Sequence, residues 1–269
     1  MNILLLGDIV GPSGRKAISE KLPELIKEKK IDFVIVNGEN AGDRGVGITK
    51  KIFNEFIEAG ADVVTTGNHV WDEKEAMEFI ISESRLLRPE NLNKESPGNG
   101  YGIFISKNKK KVAVINLMGN IFMKKSEDVF EEAKKFIKNV KLKKDADFII
   151  VDMHGEITSE KIAMGYLFDG KATMVVGTHT HVPTSDHMIL EKGTAYQTDV
   201  GMCGDYKSVI GMNRDNSLKK FLKDSSAKKH YPALGEATLS GILVSADDNT
   251  GLAKKVEPII LGKYLENRI

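Results

Sequence analysis

The sequence predicts an α/β protein with a largely parallel sheet and a second, more antiparallel one. Three observations carry this expectation. Short apolar, β-branched runs recur along the chain, and helical patterns separate them through the first two thirds. In the last third, strand-like runs follow one another with little helix between them. The 269 residues hold no internal repeat and no Pro- or Ser-rich linker, so one domain spanning 1–269 is expected.

The first strand is "NILLL" (2–6), and the helical region behind it holds Pro23, where a kink or restart is expected. "DFVIVN" (32–37) and "DVVTT" (62–66) follow as strands, with "ITKKIFNEFIEAG" (48–60) as the helix between them. There Ile48, Ile52, Phe56 and Ala59 share one face, and Gly60 is a natural stop. "KNKKK" (107–111) reads as a hairpin turn before the strand "VAVINL" (112–117). "DFIIVDM" (147–153) and "TMVVGT" (173–178) complete the central strands. Continuous hydrophobicity in all six implies burial on both faces. Between the last two lies "TSEKIAMGYLFDG" (158–170), a helix with Thr158 and Ser159 as capping residues, Glu160 in the first turn and Gly170 as its end. "GTAYQTD", "ATLSGILVSA" and "VEPIILG" supply the second, more antiparallel sheet.

Charge and cysteine content narrow the function. Thirty-nine basic residues balance 38 acidic ones, and a net charge of +1 argues against broad electrostatic capture of nucleic acid. The single cysteine, Cys203, allows no disulfide within the chain and suits a reducing cytoplasm. The apolar start lacks a basic lead-in and is broken by Asp8, so it reads as a buried strand. No run is long enough to span a bilayer.

The chemistry lies just behind the strands. Asp8 follows the first, Glu39 and Asn40 the second, and Asn68 and His69 the third. "DFIIVDM" ends at His154, and "TMVVGT" leads into "GTHTHVPTSD" (177–186), which carries His179 and His181 one residue apart. In an open α/β sheet the carboxyl ends of parallel strands gather at one rim, where ligands bind. Singly, Asp8 reads as a helix cap, Glu39 and Asn40 as a turn, and His69 or His154 as a structural histidine. Jointly, five strand ends deliver carboxylate, amide oxygen and imidazole without thiolate, a set that suits two Mn, Fe or Zn ions.

These residues also carry a resemblance. "GD" at 7–8, "GNH" at 67–69, the isolated His154 and "THTH" at 178–181 resemble the ordered motifs of calcineurin-like metallophosphoesterases. "GDIVGPSGR", "VNGENAGDRGVGIT", "TTGNHVWD", "DMHGEITSEK", "GTHTHVPTSD" and "GTAYQTDVGMCG" with "SVIG" resemble one bacterial branch, similar to 2′,3′-cyclic-nucleotide phosphodiesterases. Val10 stands where the broader superfamily has a histidine, and Glu39 where it has a bridging aspartate. Both departures resemble the bacterial branch.

The resemblance implies a four-layer α/β/β/α sandwich of two packed sheets flanked by helices. It also implies two divalent or trivalent metal ions, Fe or Mn foremost and Zn as a third choice. Asp8 and His181 would hold one ion and Asn68, His154 and His179 the other, with Glu39 bridging and Asn40 close by. A water shared by the two cations would attack phosphorus. His69, left off the metals, would protonate the leaving oxygen. The implied partner is a small nucleotide phosphodiester handled by a cytoplasmic homo-oligomer, with neither a membrane nor a stable nucleic-acid partner. A phosphomonoesterase using the same metals, and a regulatory RNA- or nucleotide-binding protein with slow hydrolysis, stay open.

Several residues carry two readings. Arg15 reads equally as a phosphate grip or a surface helix start. Glu156 reads as a carboxylate at the start of the next helix rather than as a partner of a ligand histidine. "GMCGDYKSVIG" (201–211) is a candidate wall of a nucleoside pocket, with Cys203 as a packing residue. His187 and His230 fall outside the pattern and are read as structural or exposed.

Overall fold

The computed structural model describes residues 1–268. The chain opens with β1 (Asn2–Leu6), the two-residue β2 (Asp8–Ile9), α1 (Gly11–Glu28), β3 (Phe33–Asn37), α2 (Lys50–Glu58), β4 (Val63–Thr65), α3 (Glu75–Phe79) and β5 (Leu86–Leu87). A second run follows: β6 (Tyr101–Ile105), β7 (Lys111–Met118), α4 (Val129–Asn139), β8 (Phe148–His154), α5 (Thr158–Phe168) and β9 (Met174–Thr178). The last part holds β10 (Met188–Ile189), β11 (Ala195–Gln197), β12 (Met202–Cys203), α6 (Arg214–Phe221), β13 (Leu239–Ala246) and β14 (Ala253–Leu261).

Two six-stranded sheets result, in the orders β14-β13-β1-β3-β4-β5 and β10-β11-β9-β8-β7-β6, with β12 and β2 forming a small parallel pair. Each sheet has a parallel centre with antiparallel strands at its edge. The unbroken apolar runs reflect burial on both faces. Ile3, Leu5, Phe33 and Ile35 point toward the other sheet and meet Val112, Val114, Phe148 and Ile150. Their alternates Leu4, Leu6, Val34 and Val36 pack under residues of α1 and α2, and Ala113, Ile115, Ile149 and Val151 pack under those of α4 and α5. Each such Val, Leu, Ile or Phe side chain contributes about 1.5–3 kcal/mol by leaving water. The outcome is the expected four-layer sandwich.

Three local expectations need correction. The late strands build no sheet of their own: β13 extends the first sheet antiparallel to β1 and β14 pairs antiparallel with β13 at its edge, while β11 joins the second parallel to β9. Thr158 and Ser159 do not cap α5; they lie inside its first turn, and Ile157 holds the cap position without a side-chain hydrogen bond. α1 runs unbroken through Pro23, and Ser19, four residues earlier, is exposed, so water can reach the carbonyl that loses its partner. The α2 reading holds: Thr49 caps Ile52 N–H at 3.3 Å, and Gly60 (φ +109°) follows its end.

Candidate metal centre

The carboxyl ends of β1, β3 and β4 from one sheet and of β8 and β9 from the other meet at a common edge. The turns leaving them bring together all eight residues singled out in the sequence. Asp8, Glu39 and His154 are fully buried, and Asn40 and His181 nearly so.

His154 sits at the centre. Its Nε2 lies 3.1 Å from each of Glu39 Oε1, Asn68 Oδ1 and His179 Nδ1. One ligand atom each from Glu39, His154 and His179 falls within 4.8 Å of the others. Beside this group, His181 Nε2 lies 3.1 Å from the Asn40 amide and 3.8 Å from Asp8 Oδ1. Asn40 also donates to Glu39 Oε1 at 3.0 Å, so Glu39 borders both groups.

What lies outside the centre decides which nitrogens face in. His181 donates Nδ1–H to the Ile210 carbonyl at 2.8 Å. His154 Nδ1 meets Thr178 Oγ1 at 2.8 Å, and that hydroxyl donates to Asp152 Oδ1 at 2.7 Å, so the imidazole must be the donor to Thr178. His179 Nε2 faces Glu156 Oε2 at 3.2 Å. His154 and His181 therefore each spend one ring N–H on an outer acceptor and turn the other nitrogen inward, as metal-binding histidines do, and His179 turns Nδ1 inward with Nε2 beside Glu156. Asp8 Oδ1, fully buried, accepts no hydrogen bond. Three imidazole nitrogens, two carboxylates and an amide oxygen crowded together fit cations and little else.

The ionisation pattern has the same cause. Burial alone would lower the His154 pKa, but Glu39, Asp8 and Asp152 outweigh it and raise the value to about 9. Burial raises Glu39, yet the adjoining His154 charge holds its carboxyl well below the ordinary range. Burial, helped by the His154 charge, pushes His179 down to about 3, and burial lifts Asp8 and brings Asp152 to about 6. The proton drawn onto His154 occupies a place that a metal ion would take.

Backbone geometry is bent to this arrangement. His179 and His181 have φ of +103° and +65°, left-handed values that cost a non-glycine residue about 1–3 kcal/mol each. Gly67 lies so close that an added Cβ would stand 2.3 Å from Glu39 Oε2 and from His154 Nε2.

His69 stands at the rim. Its N–H donates to Glu39 Oε2 at 3.1 Å, and its Nδ1 lies 2.6 Å from Asp72 Oδ2, which leaves Nε2 free. Glu39, Asn40, His69, His179 and His181 line a cavity of about 320 Å³, together with the apolar side chains of Val46, Ile210 and Met212. The 201–211 loop thus supplies Ile210 to the wall. A roomier hollow of about 650 Å³ beside α1 holds no histidine, so chemistry rather than size marks the site.

The remaining readings resolve by contact. Val10 is buried against Gly211, whose added Cβ would lie 2.6 Å from its Cγ1, so this position packs the 201–211 loop. Arg15 binds the Ala41 carbonyl at 2.5 Å and Asp43 at 2.7 Å; it braces the loop behind Glu39. Cys203 is buried, with its thiol pushed up to about 12, and packs as expected. His187 is half-buried and His230 exposed. Glu156 corrects its first reading: it touches His179. Asp72 and Asp152 were not singled out, although each left a signal. Asp72 lies three residues after His69, and Asp152 is an acid inside an apolar strand, on the face of His154.

Comparison with known proteins follows the same lines. A family model described as "YmdB-like protein" matches residues 4–259. The 2′,3′-cyclic-nucleotide 2′-phosphodiesterase of Bacillus subtilis is 44% identical over 261 residues, 97% of either chain. A crystal structure of a phosphatase from Mycoplasma pneumoniae superposes with a TM-score of 0.89 at 37% identity, covering 97% of this chain and 93% of that one. A Thermus thermophilus protein of undescribed role gives the same TM-score at 35% identity, covering 98% of this chain and 100% of its own.

Proposed function

The chain belongs to the YmdB-like family, and from that premise we propose that it is a metal-dependent phosphodiesterase that opens the ring of 2′,3′-cyclic nucleotides. The observation that carries the reading is the inward turn of three imidazole nitrogens into a group that holds the buried carboxylates of Glu39 and Asp8. One ion would be held by Glu39, Asn68, His154 and His179, the other by Asp8, Glu39 and His181, with the Asn40 amide beside it. Bound there, the pair would supply positive charge against the phosphate and a nucleophile at neutral pH.

The chain's own residues do the rest. The 2.6 Å contact between His69 Nδ1 and Asp72 fixes the imidazole of a residue that lines the cavity and leaves Nε2 to meet substrate. From Nε2 a proton passes to the ribose oxygen as its bond to phosphorus breaks. Val46, Ile210 and Met212 offer an apolar wall for ribose and base. The name of the Bacillus relative supports cleavage of the 2′ ester and release of a 3′-phosphate.

No helix among the described residues is long and apolar enough to cross a membrane. A cytoplasmic homo-oligomer belongs to the same proposal. The single cysteine supports the compartment and the exposed Leu218, Phe221, Leu222 and Leu234 support self-association, which light scattering reads.

Purified protein with Mn²⁺ is expected to convert 2′,3′-cyclic AMP to 3′-AMP and to lose this activity in chelator. Cleavage of p-nitrophenyl phosphate with the cyclic nucleotide untouched would favour a phosphomonoesterase, as the Mycoplasma relative's description suggests. Turnover of neither substrate with metal bound would point to a regulatory or binding role.

A further inference from the structure

A buried ion pair lies beneath the loop that carries both histidines, and no step above uses it. Lys161, on α5, is 1% exposed, three and seven residues before Met164 and Phe168 on the buried side of that helix. Its Nζ donates to Asp199 Oδ2 at 2.9 Å and to the Thr178 carbonyl at 3.4 Å. Asp199, fully buried, also accepts Thr180 N–H on Oδ2 at 3.0 Å and Gly201 N–H on Oδ1 at 2.9 Å. Its own carbonyl accepts Thr184 N–H at 2.9 Å.

The carbonyl before His179 and the amide after it are thus tied to one charge pair. Between them, His179 adopts φ +103° and gives its N–H to Asp8 Oδ2 at 3.0 Å. The Lys161 stem also runs under the strand end, since a Cβ on Gly177 would stand 2.7 Å from its Cδ. A buried ion pair is a poor stabiliser, because desolvation offsets most of the attraction. What this pair does supply is direction: it clamps both peptide groups flanking a left-handed histidine.

We propose that Lys161 and Asp199 form a positioning pair that holds the His179–His181 loop in its metal-binding conformation and so sets the affinity of the centre. The proposal rests on the metal-centre reading above. With the clamp released, the backbone at His179 is free to relax, and Nδ1 leaves the 3.1 Å position beside His154.

The test is Mn²⁺ titration of chelator-stripped protein, with far-UV circular dichroism and thermal midpoints alongside. Lys161→Met is expected to bind Mn²⁺ about 10–100-fold more weakly, the usual effect of losing a group that orients ligands. Saturating Mn²⁺ is expected to restore kcat with KM for the cyclic nucleotide unchanged, since no substrate contact is touched. Because Lys161→Met leaves a buried charge alone and can fail to fold, the double variant Lys161→Met/Asp199→Asn carries the decision. It removes both charges and is expected to keep a near-native midpoint while binding Mn²⁺ at least about 10-fold more weakly. Wild-type affinity in the folded double variant overturns the proposal, and so does a double variant that cannot fold, which would make the pair a stability element. Wild-type protein that binds no Mn²⁺ would instead sink the metal-centre reading, and this proposal with it.

Discussion

At His154, one hydrogen faces more acceptors than it can serve, and this governs how the site responds to pH. Its raised pKa means that the charged ring stabilises the metal-free fold fully below about pH 6.5. That contribution is lost as pH rises through about 9. A cation must displace this proton, so metal affinity rises over the same window. The gap in thermal midpoint between Mn²⁺-loaded and chelated protein is therefore expected to widen from pH 6.5 to 9; a constant gap would deny His154 a place on the metal. His69→Gln should lower turnover about 10²–10⁴-fold with bound metal unchanged, and full activity would remove it as the proton donor. Glu156→Gln, at a partly exposed contact, should weaken Mn²⁺ binding by about 10-fold, the lower end for such partners. The candidate ligands were legible because each directly follows an apolar run. Their outer partners were less so: Asp152 left only the weak signal of an acid in an apolar strand, Glu156 read more simply as a helix-entry carboxylate, and Asp199 acquires meaning only when its contacts are known.

Strands were the most legible elements. Burial on both faces leaves an unbroken apolar run in one short window, and "NILLL" matches β1 residue for residue. Sheet membership was not legible at the chain's end, because β13 pairs with β1 across more than two hundred residues, as in Asn2 opposite Ser245. Caps failed for a local reason: Thr158 and Ser159 have capping chemistry, but the chain turns into the helix one residue earlier, at Ile157. The close approach at the end of β9 gives an element-scale test. A Cβ on Gly177 would stand 1.7 Å from the Thr198 carbonyl, and Gly177 O accepts Val200 N–H at 3.0 Å. Gly177→Ala is expected to cost about 1–3 kcal/mol or more as the strand is pushed from its neighbour. An unchanged urea midpoint would show that the contact yields freely.

For the molecule as a whole, the site is divided between two sheets. Asp8, Glu39 and Asn68 follow strands of one, while His154 ends and His179 follows strands of the other. The core between the sheets keeps the halves in register, together with buried hydrogen bonds such as those from Asn37 and Thr65 to Asp152. Phe148, fully buried in that core, lies six residues before His154 on the same strand. Phe148→Ala is expected to cost about 3–5 kcal/mol in chemical denaturation and to weaken Mn²⁺ binding as well, whereas a loss of stability with wild-type metal affinity would uncouple the site from the packing of the sheets. The most direct measurement is a Mn²⁺ titration of chelator-stripped wild-type protein, following bound metal per chain and conversion of 2′,3′-cyclic AMP together. Two ions bound per chain, with 3′-AMP formation rising as the second site fills, is the expected result. Full turnover with no metal bound, or metal bound with the cyclic ester never opened, would contradict it.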